Sequence, residues 1–188
     1  VDGAIILPGF GKRGAEGKIM ALKYLRERGK PVLGICFGMQ LMIIEAFRNI
    51  LGIKEANSTE LDPNTSYPVI DLLEEQRKIT MLGGTLRLGA RKIKVVPGTW
   101  AWKAYQREEA YERFRHRYGF NKRYLDQLEK AGFIVSAYSE EGYVEIIELK
   151  DTKNMYLGIQ AHPEFKSRPL SPSPLFSIFV ENVLGLAS

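Results

Sequence analysis

A lone cysteine between two glycines, at the point where one apolar run gives way to another, constrains the fold most. Residues 31–35 are a short apolar run typical of a buried strand, and residues 39–47 are apolar nearly all round, as in a buried helix. Gly34 and Gly38 lie two residues before and after Cys36, where a tight turn leaves no room for side chains. The pattern therefore predicts a strand–turn–helix unit with a thiol at the turn, as in a nucleophile elbow.

Two interpretations of Cys36 stay open at this point. A thiol at a helix N-terminus is favoured as the thiolate, the form that attacks a carbonyl carbon. A free cysteine is also one of the residue types most often buried as a small apolar side chain. With the flanking glycines, the sequence supports the two interpretations of Cys36 equally. A decision between them needs a base elsewhere in the chain.

Segments typical of strands and helices alternate along the chain. Residues 3–7 form a short apolar run, and residues 15–28 carry apolar side chains at helical spacing with charges on the other side. An amphipathic helix between two apolar strands indicates a βαβ unit, hence parallel strands with helices on the sheet faces. We therefore expect one α/β domain over residues 1–188, a three-layer sandwich with a mostly parallel central sheet and helices on both faces.

The rest of the chain gives weaker patterns. Residues 51–78 have little periodicity, which favours a long excursion with functional loops. Residues 85–96 predict one or two strands with a break at Gly89, and residues 100–112 predict a helix. Beyond them, the predicted elements are a helix over 121–131, strands over 133–138, 143–149 and 154–160, and a closing helix over 174–184.

Composition narrows the class of protein. The 188 residues carry a net charge of +5, but Glu108, Glu109 and Glu112 interrupt the larger basic cluster over 107–123, which argues against a nucleic-acid surface. One cysteine excludes an internal disulfide and suits a reducing compartment. No apolar run has the length of a membrane span. Because the chain starts abruptly in an apolar run, we expect it to be a piece of a longer polypeptide.

His162 and Glu164 follow the last apolar run, on either side of Pro163. A proline favours extended backbone at the preceding residue, and in extended backbone residues two apart project to the same side. The carboxylate can then hold one imidazole nitrogen and leave the other to take a proton from a thiol. Because the carboxyl ends of parallel strands meet at one sheet edge, we expect His162 to lie beside Cys36. His116, among arginines, is predicted to lie at the surface or to pack in a strand.

Four motifs together carry a resemblance to a known family: GICFGMQ (34–40), NSTE (57–60), RHRY (115–118) and HPEFKSRP (162–169). With them, the chain resembles the class I glutamine amidotransferase domain of CTP synthases over essentially its whole length. The first motif and the start of the last are typical of triad amidotransferases in general, and the others are more specific. The resemblance implies the fold of those amidotransferases without their first strands, which would leave a sheet edge uncovered.

The resemblance also implies an activity. The domain would hydrolyse L-glutamine to glutamate and ammonia. Cys36 would be the nucleophile that forms a glutamyl thioester, His162 the general base and then the acid, and Glu164 the group that orients His162. The backbone N–H groups of Gly9 and Phe37 would form the oxyanion hole.

Three further residues are implied to hold the substrate: Gln40, Glu60 and Arg117. Free glutamine carries an α-ammonium and an α-carboxylate, so one fixed carboxylate and one arginine suit it. No metal and no cofactor are expected in this domain.

Partners outside this chain follow from the same resemblance. A synthetase domain, N-terminal on the same polypeptide, would use the ammonia, ATP and Mg²⁺ to aminate UTP to CTP in pyrimidine biosynthesis, and GTP would activate the glutaminase step. We expect a cytoplasmic homotetramer, with no nucleic-acid or membrane partner. The alternatives are a non-catalytic regulatory or binding module on the same fold and a γ-glutamyl peptide hydrolase.

Overall fold

The computed structural model of the protein describes residues 1–73 and 86–187. The described strands are β1 (Ala4–Ile6), β2 (Val32–Ile35), β3 (Ala56–Ser58), β4 (Tyr67–Leu72), β5 (Arg87–Val95), β6 (Glu109–His116), β7 (Tyr118–Phe120), β8 (Phe133–Ser139), β9 (Val144–Leu149) and β10 (Tyr156–Ile159). The α-helices are α1 (Ala15–Glu27), α2 (Phe37–Asn49), α3 (Trp100–Tyr105), α4 (Leu125–Lys130) and α5 (Pro174–Val183), and 3₁₀ turns cover Lys122–Tyr124 and Pro163–Phe165. Residues 74–78 of the predicted excursion and the first residue of the predicted 85–96 strand lie outside the described residues.

A seven-stranded sheet, in the order β1-β2-β10-β9-β8-β5-β6, forms the middle layer. β1, β2 and β10 run parallel, as the βαβ pattern predicts. From β10 onward every neighbouring pair is antiparallel, so the sheet is mixed and the prediction of a mostly parallel sheet is wrong in that detail. Short connections are the reason: β8 is joined to β9 and β9 to β10 by a few residues, and a parallel pair needs a long crossover.

Helices cover both faces of the sheet, which confirms the α/β sandwich. α1, α2 and α4 pack on one face, where Leu22 and Phe47 are fully buried. α3 and α5 pack on the other face through Trp100 and Phe179. Because α2 lies between α1, α4 and the sheet, its residues 37–47 are all buried, as its nearly continuous apolar sequence predicts.

A second, three-stranded sheet lies beside α2, in the order β3-β4-β7. β3 and β4 pair in parallel and β4 pairs with β7 in the antiparallel sense. Both β3 and β4 lie inside the predicted excursion, where β3 is too short to show a period of two. This small sheet matters for the site because residues 59–60 directly follow β3 and residue 117 directly precedes β7.

The helix predicted over residues 100–112 is wrong beyond Tyr105. The Thr99 side chain caps α3, and Gln106 ends it in the left-handed region at φ 51°. β6 follows, and its residues alternate strictly between exposed and buried, the period of a strand. Gly89 does not break β5 either, because one strand continues through it at φ 92°, a conformation that a glycine allows.

Cations of β5 are matched by carboxylates. Lys92 lies 3.2 Å from Glu109 and 2.9 Å from Glu140 across the sheet. Arg87, whose side chain is fully buried, donates to Glu145 at 2.7 Å. In the described residues, no helix is long and apolar enough to cross a membrane.

Candidate active site

The turn at Cys36 is a strained elbow between β2 and α2. Cys36 has φ 51° and ψ −103°, a conformation that is costly for a residue with a side chain and is found mainly where the surroundings enforce it. Its N–H donates to the Ile159 carbonyl at 2.7 Å, which ties the elbow to the end of β10. A Cβ at Gly34 would collide with Met42, and one at Gly38 with the Ile6 carbonyl, so both glycines are needed for close approach, as predicted.

His162 lies next to this elbow because of the parallel register. Ile159 pairs with Ile35, so the chain that leaves β10 passes Cys36 before it reaches His162. The His162 N–H donates to the Arg113 carbonyl at 2.8 Å, and the imidazole stacks on Phe165 with ring centroids 4.6 Å apart and planes inclined by 5°. The imidazole therefore has a fixed position and tilt.

Glu164 meets His162, but not through extended backbone. Nδ1 of His162 lies 2.6 Å from Oε1 of Glu164. Residues 163–165 form a 3₁₀ turn rather than the extended segment predicted from Pro163, and the turn brings the carboxylate round to the ring. The proton on Nδ1 faces a carboxylate, which leaves Nε2 for the thiol.

Electrostatics favour a protonated His162. Burial by itself lowers the pKa of His162, but hydrogen bonds and charges from Cys36 and Glu164 raise it more, and the resulting pKa is about 9. Among the described residues, Nε2 has no hydrogen-bond partner of good geometry, so the ring and the sulfur interact without a fully aligned bond. An imidazolium beside the sulfur stabilises a thiolate.

A cavity of about 480 Å³ opens at the Cys36 elbow, within the range of roughly 300–1,000 Å³ usual for small-molecule sites. Its lining contains Cys36 and every residue that the resemblance assigns to substrate, namely Gly9, Phe37, Gln40, Glu60 and Arg117. His162 and Glu164 are not part of the lining. His162 is buried next to the Cys36 elbow. A thiol therefore lines the cavity, with a buried imidazole beside it.

The glycine-rich loop after β1 is held from both ends. Lys18 Nζ donates to the Leu7 carbonyl at 2.9 Å, and the Gly11 N–H donates to Glu60 at 2.9 Å. A Cβ at Gly9 would sit 3.5 Å from the Phe37 ring, so the loop backbone lies close to the first turn of α2. Glu60 thus positions the loop in addition to lining the cavity.

Three residues near the site are not among the predicted site residues. His116, predicted to lie at the surface or to pack in a strand, is buried in β6. His116 lines the cavity. Burial lowers the pKa of His116 most, nearby positive charges lower it further, and the resulting pKa is about 3. The ring is therefore neutral, and its Nδ1–H donates to the Tyr118 carbonyl at 2.8 Å. Glu112 is buried and accepts from Tyr105 at 2.9 Å. Gln160 contacts the Cys36 sulfur. The strict alternation in β6 could have shown that His116 and Glu112 face inward.

Comparison with known proteins shows which family has this sequence and fold. The family model of class-I glutamine amidotransferases matches residues 1–182. The chain is 55% identical over 186 residues to a CTP synthase of Sulfurisphaera tokodaii and 60% identical over 180 residues to that of Sulfolobus acidocaldarius. These alignments cover 99% and 96% of this chain but 35% and 34% of the relatives, so the chain spans about a third of their length.

Solved structures agree with the sequence comparison. The glutaminase domain of Trypanosoma brucei CTP synthase, with bound acivicin, superposes with a TM-score of 0.92 at 31% identity, over 100% of this chain and 72% of that one. A Thermoplasma acidophilum protein described as a putative GMP synthase subunit superposes with a TM-score of 0.65 at 16% identity, over 98% of this chain and 74% of that one, which shows a shared fold only.

Proposed function

The chain belongs to the class-I glutamine amidotransferase family, as a glutaminase domain of the CTP synthase type, and on that premise we propose that it hydrolyses L-glutamine through Cys36, His162 and Glu164. The observation that carries this proposal is the strained Cys36 elbow at the floor of a cavity, beside an imidazole whose other nitrogen lies 2.6 Å from a carboxylate. That set supplies a nucleophile, a proton carrier and an orienting group.

The proposed reaction proceeds in two steps. The Cys36 thiolate attacks the side-chain carbonyl carbon of glutamine, and the His162 imidazolium protonates the departing nitrogen as the C–N bond breaks, leaving a glutamyl thioester and ammonia. His162, now neutral, takes a proton from water as the water attacks the thioester. The C–S bond then breaks, and the thiolate–imidazolium pair is restored with release of glutamate.

Substrate positioning falls to the cavity lining. The backbone N–H groups of Gly9 and Phe37 are proposed to form the oxyanion hole. A Cβ at Gly9 would lie 3.5 Å from the Phe37 ring, and the first amides of α2 have no intrahelical partner. Glu60 and Arg117 provide one negative and one positive group for the α-ammonium and α-carboxylate, and Gln40 adds a buried amide at the wall.

The remaining proposals concern the protein to which such a domain belongs. Its relatives are CTP synthases of about three times this length, which supports a synthetase domain that uses ATP, Mg²⁺ and UTP to form CTP with the ammonia released here. GTP activation, a homotetrameric assembly and a cytoplasmic location are part of the same proposal. This domain itself is proposed to need no metal.

A labelling experiment tests the proposal. A glutamine analogue with an electrophilic carbon in place of the side-chain amide should alkylate the chain at Cys36, as mapped by mass spectrometry, and glutamine should protect it. Acivicin, which is bound in the T. brucei structure, is a second probe. Glutamate release should be assayed in parallel, with and without GTP and the synthetase domain. No labelling and no turnover would favour a non-catalytic module, and turnover of γ-glutamyl peptides but not of glutamine would favour the peptide hydrolase.

A further inference from the structure

Gln160 lies directly beside the nucleophile. It is the first residue after β10, and the parallel pairing of Ile159 with Ile35 puts the next residue of each strand, Gln160 and Cys36, at neighbouring positions. The Gln160 N–H donates to the Glu145 carbonyl at 2.8 Å, which fixes the backbone, and the residue is 1% exposed. Its side chain therefore points into the protein at the sulfur.

The orientation of the Gln160 amide is set by its neighbours. The Tyr118 carbonyl can only accept, so the Gln40 atom 2.8 Å from it must be the NH₂ group, Nε2. The same Nε2 lies 3.2 Å from the Gln160 side chain, so the Gln160 atom that faces it must be the oxygen. The Gln160 NH₂ is thereby turned the other way, and it donates to the Cys36 sulfur at 3.6 Å.

We propose that Gln160 is a fourth catalytic group, whose side-chain amide stabilises the Cys36 thiolate by an N–H···S hydrogen bond. A hydrogen bond to an ionised acceptor is stronger than one to a neutral acceptor, and the donor of this bond is buried, since Gln160 is 1% exposed. In the proposed reaction the sulfur is negative when it attacks and again as it leaves the thioester, so the bond acts at both stages. This inference deepens the proposed function and rests on Cys36 as the nucleophile.

A purely structural role for Gln160 is the competing explanation. Its oxygen accepts from Gln40, so the residue could serve only to connect the cavity wall to β10. A structural role would change the stability of the protein or the position of Gln40. It would leave the pH at which Cys36 ionises unchanged, and this difference separates the two explanations.

The test is the pH dependence of Cys36 alkylation in Gln160→Met, which keeps the side-chain length and removes the donor. Cys36 is the only cysteine of the chain, so the rate with iodoacetamide reports on it alone. Measured without glutamine and normalised to the limiting rate at high pH, the midpoint of the pH profile should rise, corresponding to a fall of about tenfold in the acid dissociation constant of Cys36, the size expected for loss of a charge-assisted hydrogen bond. Gln127→Met is the matched control, since Gln127 lies on α4 outside the cavity, and its alkylation profile should equal that of the unaltered chain.

A second measurement needs no variant at position 160. In the unaltered chain, the Gln160 side-chain amide protons should shift on NMR titration with the same midpoint as the alkylation rate, and the shift should vanish in Cys36→Ser. An unchanged normalised profile in a folded Gln160→Met chain, or amide resonances that do not follow Cys36 ionisation, overturns the inference. The proposed function is tested separately by labelling with the glutamine analogue, so either can fail alone.

Discussion

The parallel and antiparallel halves of the central sheet differ in where their ionisable side chains lie. In the parallel half (β1, β2 and β10), the strands are apolar and the reactive groups follow at their carboxyl ends, where Cys36 and His162 lie. In the antiparallel half (β5, β6, β8 and β9), ionisable side chains lie within the strands themselves, such as Arg87, Glu145 and Glu148. We infer that the first half carries the chemistry, while the second supplies buried ion pairs and, through His116 of β6, part of the cavity lining.

The buried charges of the antiparallel half have structural partners. Arg87 donates to Glu145 at 2.7 Å and lies over the Phe114 ring, 4.7 Å from its centroid. Glu148 accepts from the Trp100 N–H at 2.7 Å and so caps the first turn of α3. Burial raises the pKa of both glutamates, that of Glu145 to about 7 despite the arginine. A perturbed pKa in this half thus marks packing, whereas at His162 it accompanies the proposed nucleophile at a cavity.

The largest expected effect comes from removing the nucleophile. Cys36→Ser should lower kcat for glutamine hydrolysis by at least about 10⁴-fold, since an alcohol is a far weaker nucleophile than a thiolate and triad groups act as a unit. The melting temperature should stay close to that of the unaltered chain, because serine is of similar size. Steady-state glutaminase kinetics and a thermal melt check both statements. Substantial residual turnover in Cys36→Ser would refute the assignment.

The next effect distinguishes the role of His162 from that of Glu164. His162→Ala removes the proton carrier, and Glu164→Gln removes only the carboxylate that orients it. In a serine-protease triad, losing the orienting carboxylate costs roughly a hundredfold less rate than losing the base, so Glu164→Gln should remain clearly faster than His162→Ala. Measured kcat values in the reverse order would contradict these roles.

A change in the other half should move stability instead of rate. Arg87→Met leaves Glu145 buried without its partner and should lower the free energy of unfolding by about 3–5 kcal/mol, the usual cost of breaking a buried ion pair. The double variant with Glu145→Met should recover much of that loss, because no buried charge remains. Denaturant titration gives the stabilities, and kcat of the folded fraction should stay near that of the unaltered chain. A large fall in kcat with little loss of stability would show that the antiparallel half takes part in the chemistry.

The same comparison explains which parts of the molecule the sequence predicts. In the parallel half, structure follows from local pattern: the glycines around Cys36 and the helical spacing over 15–28 are visible in single segments. In the antiparallel half, the pattern depends on pairing between distant strands. The exposed residues of β6 alternate with buried ones, yet β6 follows closely on the short helix α3, and the combined stretch imitates one longer helix.

The candidate site divides in the same way. Cys36, His162 and Glu164 stand out by residue type and spacing, but Glu60 and Arg117 are ordinary charged residues without the resemblance. Gln160 gives no signal at all, since its contact with the sulfur depends on the register of β10 against β2 and on the orientation of two amides. Such contacts follow from tertiary geometry and cannot be read from one sequence.

The smallest expected effect is a difference between the pH windows of the two halves. His162 has a folded pKa raised from 6.5 to about 9, so its contribution to stability is fully present below pH 6.5 and is lost as the pH rises through about 9. Glu145 has a folded pKa raised from 4.5 to about 7, so its contribution is present below pH 4.5 and is lost as the pH rises through about 7. The melting temperature of the unaltered chain minus that of His162→Gln should therefore decline between pH 6.5 and 9, and the difference from Glu145→Gln should decline between pH 4.5 and 7. Two differences that decline over one shared window, or that do not vary with pH, would mean that the halves are not electrostatically distinct.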